Sequence, residues 1–205
     1  FVSELQSKLS NIEENLQSIF PPIITERISE KTGKKLKDHV EVFNPGSRDQ
    51  IGRRLTSLGW KPEKFTETGK PMVDEVILSK LPYPEAKAMA EYLLIQKRIA
   101  QASSWLEHVA DDGRVHGKVI TNGAVTGRMT HHSPNMAQVP AVTAEYGDVS
   151  RQVWTVDAGN VLVGCDASGL ELRMLAHYMK DEEYTKEVIN GDVHSKNQLA
   201  AGLQT

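Results

Sequence analysis

Residues 161–173 read Val161-Leu162-Val163-Gly164-Cys165-Asp166-Ala167-Ser168-Gly169-Leu170-Glu171-Leu172-Arg173. The first five are a short apolar run suited to a buried strand. From Leu170 to Met179 the pattern predicts a helix. A strand that delivers Asp166 and then turns straight into a helix holds the carboxylate on a rigid edge, with nearby backbone N–H groups free to face an anion. Such a carboxylate can hold Mg²⁺ between itself and a phosphate, because Mg²⁺ takes few protein oxygens and keeps places for water and phosphate. The same spacing also suits an aspartate that only caps its helix. Cys165 precedes Asp166 on the expected strand and should point the opposite way, into the core.

On the C-terminal side, the pattern predicts an acidic helix near 181–190 and a last helix from about Val193. Between them lies Gly191-Asp192-Val193-His194. His194 falls near a helix start, where it could donate to a phosphate or serve as an ordinary surface or capping residue.

On the N-terminal side, Val2, Leu5, Leu9, Ile12, Leu16 and Ile19 fall at steps of three and four, so one helix stripe spans residues 1–20. Pro21-Pro22 stops it. Lys31-Thr32-Gly33-Lys34-Lys35-Leu36-Lys37 reads as a cationic loop, either solvated surface or a phosphate-backbone contact. After the turn at Asn44-Pro45-Gly46, Ser47 has the look of an N-cap, with Gln50 at capping-box spacing. Ile51, Leu55 and Leu58 make the apolar face of that helix, and Gly59 ends it. Residues 61–81 are loop or short elements, and a long helix is expected from about Pro84 to Trp105. After His108 the character changes. Asp111-Asp112-Gly113 is a turn, 114–121 alternates like a strand, and 122–150 is loop-like. That loop contains Thr126-Gly127-Arg128, Pro134-Asn135 and Gln138-Val139-Pro140. Its arginine and glutamine donors suit phosphates or base-edge acceptors, including those of the minor groove, though a polar surface loop would look the same.

The composition fits a folded protein: 205 residues, 39% apolar and 25% charged, exclude wholesale disorder. A net charge of −3 argues against a purely electrostatic nucleic-acid binder, but leaves room for cations gathered on one face. The single cysteine excludes an internal disulfide and suggests a reducing compartment. No run is apolar enough to span a bilayer, so no membrane partner is expected. His116, His131, His132 and His177 have no metal-ligand spacing, which makes a zinc site improbable. The chain begins with Phe1 rather than Met and ends without a tail, and both ends are expected to be interior positions of a longer protein.

Taken in order, these pieces resemble family A DNA polymerases of the phage replicative branch. Thr126-Gly127-Arg128 followed by Pro134-Asn135-Met136-Ala137-Gln138-Val139-Pro140 resembles the loop ahead of the palm strand. Asp166 to Arg173, continuing into Met174-Leu175-Ala176-His177, resembles polymerase motif A. Gly191-Asp192-Val193-His194 resembles the approach to the fingers. Asn44-Pro45-Gly46-Ser47-Arg48-Asp49 and Gln96-Lys97-Arg98-Ile99 are similar to phage-polymerase thumb segments.

The resemblance implies an α+β fold: a helical thumb over residues 1–107, then part of a palm over 108–205 with antiparallel sheet and flanking helices. It implies template-directed DNA synthesis with two Mg²⁺ ions, in which nucleotidyl transfer goes to a primer 3′-hydroxyl. Asp166 would bind both ions, with the Ala167 carbonyl completing one site. The amides around Ser168, Gly169 and Leu170 would lie beside the triphosphate, Glu171 would guard the sugar against a 2′-hydroxyl, and His194 would contact the triphosphate. Arg128 and Gln138 would hold the primer–template through its minor groove, with Thr126, Asn135 and Arg98 as further DNA contacts. The expected partners are primer–template DNA and deoxynucleoside triphosphates, in a bacterial or phage-infected cytoplasm. The fingers arginine and lysine and the second metal-binding aspartate lie outside this chain, so by itself it is expected to be inactive. Some phage relatives carry a long thumb insertion that binds a processivity factor; the corresponding region between Pro22 and Val42 is short, which argues against that partner. A different reading makes the chain a non-catalytic nucleic-acid-binding half of a split polymerase. The least favoured is a metal-dependent hydrolase using Asp166, Asp192 and His194.

Overall fold

The computed structural model describes residues 1–202, leaving out the side chains of His194, Lys196 and Ala200. It is a mixed helix-and-sheet fold with two small antiparallel sheets. The chain forms two compact units, one of residues 1–154 and one from Thr155 onward.

The first unit is built on helices. α1 (Val2–Ile19) forms on the three-four stripe, buries Leu5 and Leu16, and ends one residue before Pro21-Pro22. α2 (Arg48–Ser57) starts at Ser47, whose hydroxyl accepts from the Gln50 amide. Only half of a capping box forms, because the Gln50 side-chain oxygen accepts from the Asn44 amide instead, at 2.6 Å. Gly59, at φ +100°, follows the end of α2, in a conformation that favours glycine. α3 (Glu75–Lys80) is capped by Asp74, which accepts from the Ile77 amide at 2.7 Å. α4 (Pro84–Glu107) has proline in its first turn, where no amide bond is lost. It packs on both α1 and α3. Their shared core includes Leu16, Phe20, Phe43, Ile51, Leu55, Leu78, Met89 and Leu93.

Two strands flank the expected cationic loop over 31–37, and the second begins inside it. β1 (Ile23–Ile28) pairs antiparallel with β2 (Lys35–Glu41), with Ile24 opposite Val40 and Ile28 opposite Lys35. The cationic loop is therefore shorter than the sequence suggested. Lys35, Leu36 and Lys37 belong to β2, and the turn is closed by the Ser29 amide on the Lys34 carbonyl, with Gly33 at φ +66°. The β-branched run Ile23-Ile24-Thr25 supplies the extended preference that overrides the polar composition.

β3 (Lys118–Ile120) and β4 (Thr130–His132) form the second hairpin. The expected strand over 114–121 shrinks to three residues, and β4 lies inside the region read as loop. A short 3₁₀ turn (Met136–Gln138) and α5 (Gly147–Gln152) complete the first unit.

The second unit holds α6 (Leu170–Met179), α7 (Glu182–Asn190) and α8 (Val193–Ala200). α6 packs on α7, and Asp181 caps α7 by accepting from the Tyr184 amide. The expected buried strand over 161–165 does not form. Val161, Leu162 and Val163 are 80%, 69% and 86% exposed, and Cys165 is exposed rather than turned into a core. A strand needs a neighbour for its backbone N–H and C=O groups, and among the described residues none pairs with this run.

Candidate active site

In the second unit the chain passes through Asp166 and Ala167 without regular secondary structure and then turns at Ser168-Gly169. The Leu170 amide donates to the Ala167 carbonyl at 3.3 Å. Gly169 takes the left-handed conformation at φ +60°, ψ +29°, and stands as the N-cap of α6 with no side chain capping the helix. The turn is tied down from the helix side: Arg173 Nε donates to the Ser168 carbonyl at 2.9 Å. Asp166 is exposed and, among the described residues, its carboxylate has no hydrogen bond or ion pair. The helix start thus lacks a side-chain cap, and a solvent-facing carboxylate stands four residues before it in the chain; helix N-termini favour anions and a carboxylate favours a hard cation.

Glu171 lies in the first turn of α6 and is exposed. Asp192 caps the start of α8, accepting from the Ser195 amide at 3.3 Å and the Ser195 hydroxyl at 2.6 Å. The His194 side chain lies outside the described residues. Among those described, no three His, Cys, Asp or Glu side chains come close enough to hold a metal. The Asp166 carboxylate and the Ala167 carbonyl are hard oxygen donors of the kind Mg²⁺ accepts.

In the first unit, Thr126-Gly127-Arg128 forms the loop of the second hairpin. The Gly127 amide donates to the Ala124 carbonyl at 2.9 Å, and the Ala124 amide to the Arg128 carbonyl at 3.0 Å. Gly127 sits at φ +78°, and Thr126 and Arg128 are exposed. β4 runs from this loop towards the 3₁₀ turn, so Arg128 and Gln138 flank one short strand. Asn135 caps that turn by accepting from the Ala137 amide at 3.1 Å, and the Gln138 side chain is exposed.

What the sequence did not signal is how this segment is held. Gln101 Nε2 donates to the Gln138 carbonyl at 3.2 Å. Arg98 Nε donates to the Glu145 carbonyl at 3.3 Å, and its Nη1 donates to Gln101 at 2.9 Å. Lys8 Nζ reaches from α1 to Glu91 at 2.8 Å and donates to the Tyr146 hydroxyl at 2.9 Å. The Glu91 bond, then the Tyr146 bond, hold the Lys8 ammonium above the usual lysine range. A lysine raised in this way contributes stability below its unfolded pKa and loses it only as pH rises through the higher folded value, so the link persists across neutral pH. Both partners are about half exposed, so it is worth at most about 1 kcal/mol.

The sequence profile of DNA polymerase family A matches residues 12–202. The chain is 48% identical over 189 residues to the DNA-directed DNA polymerase of Enterobacteria phage T3, and 47% identical over 189 residues to that of Escherichia phage T7. Each alignment takes in 82% of this chain and 27% of the relative, so the chain spans about a quarter of the length of these polymerases. A thermostable DNA polymerase I of Thermus caldophilus is 31% identical over 168 residues, covering 75% of this chain and 19% of its own length. The fold is similar to that of the polymerase domain of Pol1 from M. smegmatis, solved in complex with DNA primer-template and dNTP. The TM-score is 0.75 and the identity 21%, over 99% of this chain and 34% of that one. This chain belongs to DNA polymerase family A.

Proposed function

We propose that this chain is the thumb, residues 1–107, and the first part of the palm, residues 108–205, of a DNA-directed DNA polymerase. The observation that carries the reading is Asp166: an exposed carboxylate, unpartnered among the described residues, beside the uncapped start of α6. A carboxylate serving only its own fold would be spent on a cap, as Asp74 and Asp181 are.

In this reading Asp166 and the Ala167 carbonyl hold their share of two Mg²⁺ ions. Bound Mg²⁺ would neutralise triphosphate charge and lower the pKa of the primer 3′-hydroxyl. The amides around Ser168, Gly169 and Leu170 orient the triphosphate, and Arg173, bonded to the Ser168 carbonyl, keeps that turn in place. Glu171 occupies the space a 2′-hydroxyl would need, and His194 contacts the triphosphate. Arg128 and Gln138 hold the primer–template duplex through its minor groove, where acceptors are nearly the same for every pair, so that pair shape is sensed without sequence being read. Thr126 and Asn135 shape the loops that present them. The partners are primer–template DNA and deoxynucleoside triphosphates, and the setting is a bacterial or phage-infected cytoplasm. Among the described residues no helix is long and apolar enough to cross a membrane.

The exposed run at 161–165 supports the same reading. Three β-branched or leucine side chains in a row gain little by facing water, and a palm strand flanked by partners elsewhere in the polymerase would cover them.

The test is primer extension by the full-length polymerase carrying Asp166→Ala. Extension should fall by about 10³-fold or more, the loss expected when a charge-stabilising group is removed from a phosphoryl-transfer site, while duplex affinity stays within about twofold. Near-normal extension by the variant would remove Asp166 from the site and the reading with it.

A further inference from the structure

α4 carries two functions on opposite sides. Ala86, Met89 and Leu93 face the core shared with α2 and α3. Glu91, Arg98, Gln101 and Trp105 fall within about 80° of one another around the helix, turned roughly away from that core. Every one of these four engages the 138–154 segment, three of them directly. Gln101 bonds the Gln138 carbonyl and Arg98 the Glu145 carbonyl. Glu91 holds Lys8, which bonds the Tyr146 hydroxyl. Trp105 meets Trp154 edge to face, with ring centroids 5.3 Å apart.

The segment is folded to receive these bonds. Ser150 donates to the Tyr146 carbonyl, and Arg151 Nε donates to the Pro140 carbonyl at 2.8 Å. Tyr146 is held at φ +61°, a left-handed conformation costly for a tyrosine. At Gly147, a Cβ would lie 1.8 Å from the Ala141 carbonyl oxygen, so only glycine closes this loop. A surface loop would not need four attachments, a strained tyrosine and an obligatory glycine. The attachments begin at the backbone of Gln138, whose side chain they leave exposed.

We propose that this side of α4, with Lys8, is a positioning clamp that fixes the backbone from Gln138 to Trp154 and so presents the Gln138 side chain to the primer–template duplex in one orientation. The clamp rests on the reading of Gln138 as a duplex contact. It assigns Arg98 and Gln101 an indirect role: Arg98 Nε and Gln101 Nε2 donate to the protein's own carbonyls, and the two act on DNA through Gln138. It also gives Lys8, 130 positions from Gln138 in sequence, a part in duplex binding as a positioning residue.

The test uses the full-length polymerase with Lys8→Met, Gln101→Leu and the milder Tyr146→Phe, which removes only a hydroxyl. KM for primer–template should rise about fivefold for the first two and about twofold for the third, with the rate of nucleotide addition to bound primer nearly unchanged. Amide exchange at Gly147, Ser150 and Trp154 should quicken in the same order, while exchange in α2 stays as it was. Lys8→Arg, which keeps a donor for both partners, should restore both readouts. In a Gln138→Ala background, Lys8→Met should add little, since its effect has already been lost. Faster exchange with unchanged KM would reduce the clamp to a structural brace and overturn the proposal, as would full additivity with Gln138→Ala. If Gln138→Ala itself leaves KM unchanged while Asp166→Ala abolishes extension, the clamp falls and the polymerase reading stands.

Discussion

The two units of this chain spend their apolar residues differently. The first wraps a continuous core between α1, α2, α3 and α4, and Phe43, Leu16, Ile51, Leu55 and Met89 are almost entirely hidden. The second holds the residues assigned to chemistry, yet among its described side chains only Ala176 and Val193 are buried apolar groups. Leu170, Met174, Tyr178 and the run from Val161 to Val163 face solvent. In the proposed reading stability and chemistry are thus segregated: one region closes on itself, and the other carries Asp166 and Glu171 in the open together with an exposed apolar surface.

Substitutions can break or sharpen that contrast. The largest effect is expected at Phe43, which is 1% exposed and meets the Phe20 ring at a tilt, with centroids 5.0 Å apart. Phe43→Ala should cost about 3–5 kcal/mol of the first unit's stability, read as an early loss of helical circular dichroism on heating. A cost under about 1 kcal/mol would mean that this core is not what holds the unit. Next comes Glu171→Ala, on the exposed start of α6. It should raise ribonucleotide incorporation by the full-length polymerase by about 100-fold, as expected when a pocket stops rejecting one extra group, and leave unfolding of the first unit unmoved. Unaltered sugar choice would take Glu171 out of the site. Asp74→Ala removes the cap of α3 and should cost about 1 kcal/mol by denaturant titration, confined to the first unit.

The smallest effect separates the regions most cleanly. Val163→Ser in the 205-residue chain should change stability by no more than about 0.5 kcal/mol, because the side chain is already in water. In the full-length polymerase the same change should cost about 1–2 kcal/mol, if partner strands there bury the run. Equal costs in the two settings would sink the idea that the run is a covered strand.

The helices were the legible part. α1, α2, α4, α6 and α7 follow from signals that lie within a turn or two: the stripe from Val2 to Ile19, the Ser47 cap, Pro84 in a first turn, Asp181 before Tyr184. Strands were misjudged in both directions, since a strand depends on a partner that the local sequence does not describe. The run at 161–165 has strand composition and no partner, whereas β1 was hidden between Pro22 and a lysine-rich turn although Ile23-Ile24-Thr25 could have betrayed it. α5 escaped because its six residues begin at Gly147, after a left-handed Tyr146. Of the site, the motif order supplied the candidates, and Asp166, Arg128 and Gln138 all stand at the surface as a binding role requires. The clamp was invisible, because Lys8 and Tyr146 are 138 positions apart and neither belongs to a motif.

α4 has a mechanical consequence. Its 24 residues make a rod about 36 Å long. With the core gripping one end and the 138–154 segment strapped along the opposite side, the rod works as a crank. A swing of roughly 5° about Pro84 would carry Trp105 through about 3 Å, comparable to one step along stacked bases. Any rocking of the helical region would therefore drag Gln138 with it, and in the proposed reading grip on the duplex becomes a matter of leverage as much as of local chemistry.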